Sequence, residues 1–153
     1  MAVRFSDFLD PTRIDLDVRS ARRTTALHQV ADQLSTHAAM RNYKLFYKDL
    51  LARERLDSTC LGNGVALPHA RTDHVGETMI AVGRSERGIY FEKADQHVNL
   101  MFVLGTPKRD PGSYLGLVSA LCKLMKSAER RAAFLAATTP EAFITAIKEA
   151  ETS

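Results

Sequence analysis

Apolar residues recur at helical spacing on both sides of a central region where they follow strand spacing. Leu27, Val30, Ala31 and Leu34 fall at i, i+3, i+4 and i+7 and predict a first helix, with Thr24 or Thr25 available as its cap. Tyr43, Phe46, Tyr47, Leu50 and Leu51 form one stripe and predict a second. Continued by a turn, that stripe runs into Arg53 and Glu54. Two charges at the end of an inward face either snorkel to the surface or point into a polar site at the rim, and the pattern alone favours the surface.

The middle of the chain reads as a turn and a set of strands. Ser58-Thr59-Cys60-Leu61-Gly62-Asn63-Gly64 passes from two hydroxyls into a glycine-rich turn. Val65-Ala66-Leu67 then predicts a short buried strand that stops at Pro68 and presents His69 at the edge of a sheet. Residues 78–82 read as a strand and 88–91 as a separate short one. Residues 98–104 are apolar on both alternations apart from Asn99, as expected of a strand covered on both faces. Residues 108–113 read as a loop. Tyr114, Leu117, Val118, Leu121, Cys122 and Met125 predict the strongest helix, which makes Cys122 a core thiol, inert through burial, and puts the Tyr114 hydroxyl at the helix N-terminus. Ser127 caps a short helix containing Phe134 and Leu135, and Thr139-Pro140-Glu141 opens a last one over Phe143, Ala146 and Ile147. Residues 1–20 read as a leader with a turn at Asp10-Pro11 and a short extended piece around Ile14. No repeat or linker interrupts this order. One α/β domain over residues 1–153 is expected, with its sheet between helical layers.

Composition narrows the function classes. Hydrophobic residues make up 45% of the 153 and charged residues 25%, an ordinary globular balance. The net charge of +3 is spread over scattered basic pairs, with no basic run interleaved with aromatics, so a nucleic-acid partner is not expected. Cys60 and Cys122 are too few for a disulfide scaffold and predict reduced thiols in a cytosolic protein. No secretory h-region and no apolar run of about 20 residues is present, so no membrane insertion is expected.

The chemistry concentrates at His69. The glycine turn is not a phosphate-binding loop, because the Lys and Ser/Thr that should follow are missing. Cys60, His69 and His74 fit no standard zinc spacing, so no metal or cofactor is expected. Ser58, His69 and Asp73 could be drawn as a hydrolase triad, but no nucleophile elbow accompanies them. An imidazole near neutrality can also take up and release a phosphoryl group. The charge of such an adduct calls for donors, and Ser58, Thr59, Arg53, Tyr114 and the amides around Gly62 and Gly64 are the candidates. On the residues alone, a structural imidazole and a phosphoryl acceptor stand level.

The run Leu50-Leu51-Ala52-Arg53-Glu54, then Ser58-Thr59, then Gly62-Asn63-Gly64-Val65-Ala66-Leu67-Pro68-His69 resembles the type-2 enzyme IIA domain of the phosphoenolpyruvate-dependent sugar phosphotransferase system. That group holds the fructose and mannitol IIA domains and the nitrogen-regulatory IIA proteins. The resemblance covers nearly the whole chain. It implies a mixed, mostly parallel five-stranded sheet flanked by helices on both faces. It implies that His69 accepts a phosphoryl group from an HPr-like carrier in the cytoplasm. The group then passes to a IIB partner of a membrane transporter complex, or its presence regulates another protein. Arg53 would lie beside the histidine, Thr59 would be a hydroxyl neighbour of the phosphoryl group, and Glu54 would be structural. The family's pattern commonly has a second histidine opening the helix after the buried strand, where this chain has Tyr114-Leu115. Tyrosine donates one hydrogen bond but does not become a cation near pH 7. A regulatory binding module of the same fold, without transfer, is therefore the competing expectation, and a small hydrolase using His69 as base ranks last.

Overall fold

The computed structural model describes residues 4–152. A segment that is apolar on both alternations has to be covered on both faces, and Gln96–Thr106 (β6) is. On one side β6 pairs antiparallel with Met79–Phe91 (β5), and β5 pairs in parallel with Ile14–Asp15 (β1). On the other side it pairs in parallel with Val65–Ala66 (β3) and His69–Arg71 (β4). Cys60–Gly62 (β2) runs antiparallel to β3 and closes that edge. The result is a mixed sheet of six strands among the described residues, three of whose five pairings are parallel.

The strand expected to stop at Pro68 resumes after it. Val65 pairs with Leu100, Ala66 with Met101, His69 with Leu104 and Arg71 with Thr106, one unbroken register along β6. Proline has no N–H to give a ladder. At the break the Leu67 amide turns away and bonds the Thr59 carbonyl at 2.9 Å, while the Pro68 carbonyl still accepts from Leu104 N–H at 2.9 Å. β3 and β4 thus share one lateral position, so the six strands fill the five places expected.

Alternation along β5 and β6 divides the core into two layers. Ile80, Val82, Leu100, Phe102 and Leu104 pack with Leu117 and Leu121 of Pro111–Met125 (α3), Phe134 of Ala128–Ala136 (α4), and Phe143 and Ile147 of Pro140–Thr152 (α5). Met79, Ala81, Met101 and Val103 pack with Leu27 and Val30 of Arg23–Ala31 (α1) and with Phe46 and Leu50 of Tyr43–Leu56 (α2). Helices therefore cover both faces of the sheet.

Several local expectations change. α1 is preceded by Arg22, which makes no side-chain cap, and Thr24 and Thr25 lie inside its first turn. β5 is one continuous strand, with irregular pairing between Arg84 and Ile89, where two strands were expected. Asn99, the polar exception in β6, donates to the Ser85 carbonyl at 2.9 Å and satisfies that irregular stretch. α3 starts at Pro111 because the Asp110 carboxylate caps the Ser113 amide, so half of the expected loop is helix. Cys122 is only half-buried and is not the core thiol its spacing implied. Ser127 and Thr139 cap the two last helices as expected, through the amides of Arg130 and Ala142. The leader forms 3-10 turns at Phe5–Phe8 and Pro11–Arg13, and Phe5 sits edge-on to Phe102 at 5.4 Å. Residues 1–3 of that leader lie outside the described residues.

The contact between α1 and the sheet leaves no room at Gly83. A Cβ there would lie 2.2 Å from Val30 Cγ2 and 3.1 Å from Val18 Cγ2. Gly83→Ala is expected to lower unfolding free energy by about 1–3 kcal/mol, measured by urea denaturation. Val30→Ala in the same chain should restore part of that loss, because it removes the obstructing methyls.

Candidate active site

Residues two apart on a strand share a face, so β4 places His69 and Arg71 side by side, on the face that meets α3. His69 is 9% exposed. Its Nδ1 lies 2.9 Å from the Leu67 carbonyl oxygen. A carbonyl only accepts, so Nδ1 carries the proton and Nε2 keeps its lone pair. Tyr114, in the first turn of α3, has its hydroxyl 3.2 Å from Nε2 and donates to it. The two rings lie 5.1 Å apart with a 37° tilt, and the Arg71 guanidinium carbon sits 5.8 Å from the Tyr114 ring centroid.

These residues form one wall of a cleft of about 500 Å³. The C-terminal half of α2 forms the other, through Asp49, Ala52, Arg53 and Leu56, and Lys108 enters from the end of β6. Three cations thus face the cleft with one carboxylate. Asp49 accepts from Thr72 Oγ1 at 2.7 Å, and His74 Nε2 lies 3.9 Å from it. Arg53 donates to the Asp57 carbonyl at 3.1 Å. Leu56, 82% exposed, and Leu115, 64% exposed, are the most exposed large apolar side chains among the described residues. One lines the cleft and the other adjoins Tyr114.

The structure brings His69, Arg53 and Tyr114 together and leaves the other predicted residues elsewhere. Glu54 does not snorkel: it is 3% exposed and does not line the cleft. Its carboxylate accepts the Thr59 hydroxyl, and Arg23 lies 3.6 Å away. Burial above all pushes the Glu54 carboxyl up, against the Thr59 hydrogen bond and the Arg23 charge. Thr59 is buried, with its hydroxyl committed to Glu54, and is not on the cleft wall. Ser58 Oγ accepts from the Cys60 amide and shapes the entry to β2. Gly62 and Gly64, at φ 88° and 75°, build the β2–β3 turn with Asn63. That turn meets β6 at Asn99, whereas His69 pairs with Leu104, so its amides sit about 15 Å from the imidazole along the strand. Pro68 is buried at the break in the strand.

Arg71, Asp49 and Lys108 were not predicted. The period of two from His69 points to Arg71, and the i, i+4 relation to Arg53 points to Asp49. Nothing local in the sequence marks Lys108, which tertiary folding alone brings in. Among the described residues, no three of His, Cys, Asp or Glu gather closely enough to hold a metal ion. Nor is any helix among them long and apolar enough to cross a membrane.

Comparisons with known proteins bear on this arrangement. Residues 7–150 match the family model described as the phosphoenolpyruvate-dependent sugar phosphotransferase system, EIIA 2. The chain is 27% identical over 148 residues to the fructose-specific EIIABC component of the phosphotransferase system of Bacillus subtilis, covering 96% of this chain and 23% of that protein. It is 28% identical over 141 residues to a nitrogen regulatory protein of Pseudomonas aeruginosa, covering 92% of each. The chain therefore spans under a quarter of one curated relative and nearly all of the other. Of solved structures, the nitrogen regulatory protein IIA-Ntr of Neisseria meningitidis superposes with a TM-score of 0.84 at 24% identity, over 93% of this chain and 97% of that one. The complex of enzyme IIAMTL and phosphorylated enzyme IIBMTL from Escherichia coli contributes a match with a TM-score of 0.80 at 18% identity, over 92% and 97%. At such identities the likeness to the solved structures is one of fold.

The surroundings of His69 set its protonation. Burial foremost, then the charges of Arg53 and Arg71, push its pKa below the usual 6.5, against the pull of the Leu67 hydrogen bond. In the window below 6.5 the unfolded chain binds more protons at this site than the folded one, so stability contributed here falls as pH falls. A nitrogen-detected NMR titration should show neutral His69 as the Nδ1–H tautomer at pH 7, with a midpoint below 6.5. A midpoint above that value would contradict the geometry.

Proposed function

We propose, for a chain that belongs to the phosphoenolpyruvate-dependent sugar phosphotransferase system EIIA 2 family, that His69 carries a phosphoryl group between proteins in the cytoplasm. The observation that carries this reading is the imidazole itself: Nδ1–H is held by Leu67 while Nε2, with its lone pair, lies at a cleft lined by three cations. Nε2 attacks the phosphorus of a phosphorylated HPr-like carrier. The Nε2–P bond forms as the donor's bond to phosphorus breaks, and the donor's leaving atom keeps the electron pair. The Leu67 carbonyl, bound to Nδ1–H, offsets the positive charge that builds on the ring. The adduct bears roughly −1.5 to −2 charges by analogy with other phosphorylated side chains, and Arg53, Arg71 and Lys108 offset them. Thr59 acts at one remove, by bonding the Glu54 carboxylate beside Arg53 in the sequence. Ser58, Gly62, Gly64 and Pro68 shape the hairpin and the broken strand that present His69.

Leu56 and Leu115 flank the cleft with apolar surface suited to a protein partner. A IIB-type acceptor is supported by the fold shared with the Escherichia coli IIAMTL–IIBMTL complex. Likeness to a fructose-specific component and to a nitrogen regulatory protein supports two outlets: transfer to a IIB protein in sugar uptake, or regulation by phosphorylation state.

One observation favours a second reading. The Tyr114 hydroxyl occupies the Nε2 lone pair. A module that binds and regulates a partner without transferring phosphate would tolerate that hydrogen bond indefinitely. Partner capture indifferent to His69→Ala and to phosphate-mimicking substitution at His69 would favour it.

Incubation with phosphoenolpyruvate, enzyme I and an HPr-type carrier is expected to place an acid-labile phosphoryl group on the chain, absent from His69→Ala. No label with a carrier shown to phosphorylate another IIA domain would overturn the carrier reading. Leu115→Asp should slow transfer from the carrier by roughly 10-fold, the cost of one lost interfacial leucine. It should leave the melting temperature nearly unchanged, because Leu115 is exposed.

A further inference from the structure

Tyr114 and His69 have the geometry of an activated nucleophile as well as that of a hydrogen-bonded neighbour. A hydroxyl becomes a competent nucleophile when a base within hydrogen-bond reach can take its proton and a third group fixes the base. Here the hydroxyl is Tyr114 Oη, 3.2 Å from the unprotonated Nε2 of His69. The third group is the Leu67 carbonyl, which holds Nδ1–H at 2.9 Å and so fixes both tautomer and ring orientation. The Arg71 guanidinium lies over the phenol ring at 5.8 Å, and Arg53 and Lys108 line the same cleft, so three cations face the space an incoming phosphoryl group would occupy. Tyr114 lines this cleft together with His69.

We propose that Tyr114 is itself a phosphoryl acceptor, with His69 as its general base, so that this cleft forms a phosphotyrosine as well as passing phosphate through an imidazole. It rests on the preceding reading only for the delivery of a phosphoryl donor to the cleft. In the step, the Tyr114 proton moves to His69 Nε2 and Oη attacks the phosphorus of a donor with a nitrogen–phosphorus bond. The O–P bond forms and the donor's N–P bond breaks. The leaving nitrogen takes the bonding pair and then the proton from His69, which returns to the neutral Nδ1–H form. An aryl phosphate ester has a lower tendency to give up its phosphoryl group than a phosphoramidate does. The step therefore runs downhill and is not readily reversed. The same donor can thus be used in two ways at one site: reversibly at Nε2, where the group can be passed on, and durably at Oη, where it stays. A phosphate fixed on Oη also stands directly in front of Nε2, so the durable product shuts off the reversible one.

The test uses the whole chain with two donors in parallel: the enzyme I and HPr relay, and phosphoramidate, a small donor that needs no protein docking. After hours of incubation each sample is split, and one half is held in acid, which cleaves N–P bonds and spares aryl esters. Acid-resistant phosphate mapped to Tyr114 by peptide mass spectrometry is the expected result. Tyr114→Phe, which keeps the ring contacts, should lose it. His69→Asn should lower it by on the order of 100-fold, the usual worth of a general base; folding of both variants is checked by their melting curves. Label that with both donors is wholly acid-labile and lies on His69 overturns the tyrosine acceptor and leaves the carrier standing. Label on Tyr114 from phosphoramidate with none from the relay supports the acceptor and counts against the carrier. No label on Tyr114 from either donor overturns the proposal, as does Tyr114 label undiminished in His69→Asn.

Discussion

The hydrogen bond from His69 Nδ1 to the Leu67 carbonyl depends on a strand that breaks without slipping. Successive residues of a strand turn their backbone groups to opposite edges, so Pro68 faces β6 while Leu67 faces the β2 side. Pro68 withholds one donor from β6, and on the opposite edge Leu67 gives its amide to Thr59 and its carbonyl to the His69 side chain. Because His69 re-enters in register with Leu104, its ring is tethered to a fixed sheet rather than to a loop. The tautomer and the direction of Nε2 toward Tyr114 follow from that tether and that register.

Electrostatics then decides what the ring can do. A protonated imidazole has no lone pair to offer, and burial beside Arg53 and Arg71 keeps His69 neutral. The same arginines that disfavour a cation on the ring favour an anion next to it. Tyr114 fits this balance differently from a second histidine. It adds a hydrogen-bond donor without adding a positive charge, with its oxygen 3.2 Å from Nε2. Glu54 contributes from behind the wall. Its buried carboxylate links Thr59 and Arg23, and Arg23 continues to Glu92 at 2.9 Å. The end of α2 that carries Arg53 is therefore fastened to α1 and to the β5–β6 hairpin.

How much of this was legible in the sequence varied with how local its cause was. The stripe through Leu117 and Leu121 and the caps at Ser127 and Thr139 are local, and they read correctly. Asp110-Pro111 is an equally local start signal, yet the polar residues around it gave the look of a loop. The polar run Arg84-Ser85-Glu86-Arg87 lies between the two apolar stretches of β5 and gives it the look of two strands. Its repair lies across the sheet, in Asn99, which no local pattern could reveal. At the site, His69, Arg53 and Tyr114 were visible through a family resemblance, and the geometry now groups them. Thr59 looked like a cleft hydroxyl because it is polar and close in sequence, but the buried Glu54 claims it. Arg71 was overlooked although strand alternation places it beside His69. Lys108 depends on where β6 ends in three dimensions.

The short strand β1 has a role larger than its two residues suggest. β5 is thirteen residues long, and its outer edge would otherwise present a row of free amides and carbonyls. The leader covers that edge in pieces: Ile14 and Asp15 pair with Val82 and Gly83, the Val18 amide bonds the Arg84 carbonyl, and the Tyr90 amide bonds the Ala21 carbonyl. An edge of that length left open would recruit strands of other proteins or of its own copies. The segment from Ile14 to Ala21 can therefore be regarded as a guard against aggregation, whose loss would expose the edge of β5 before it cost the cleft its shape.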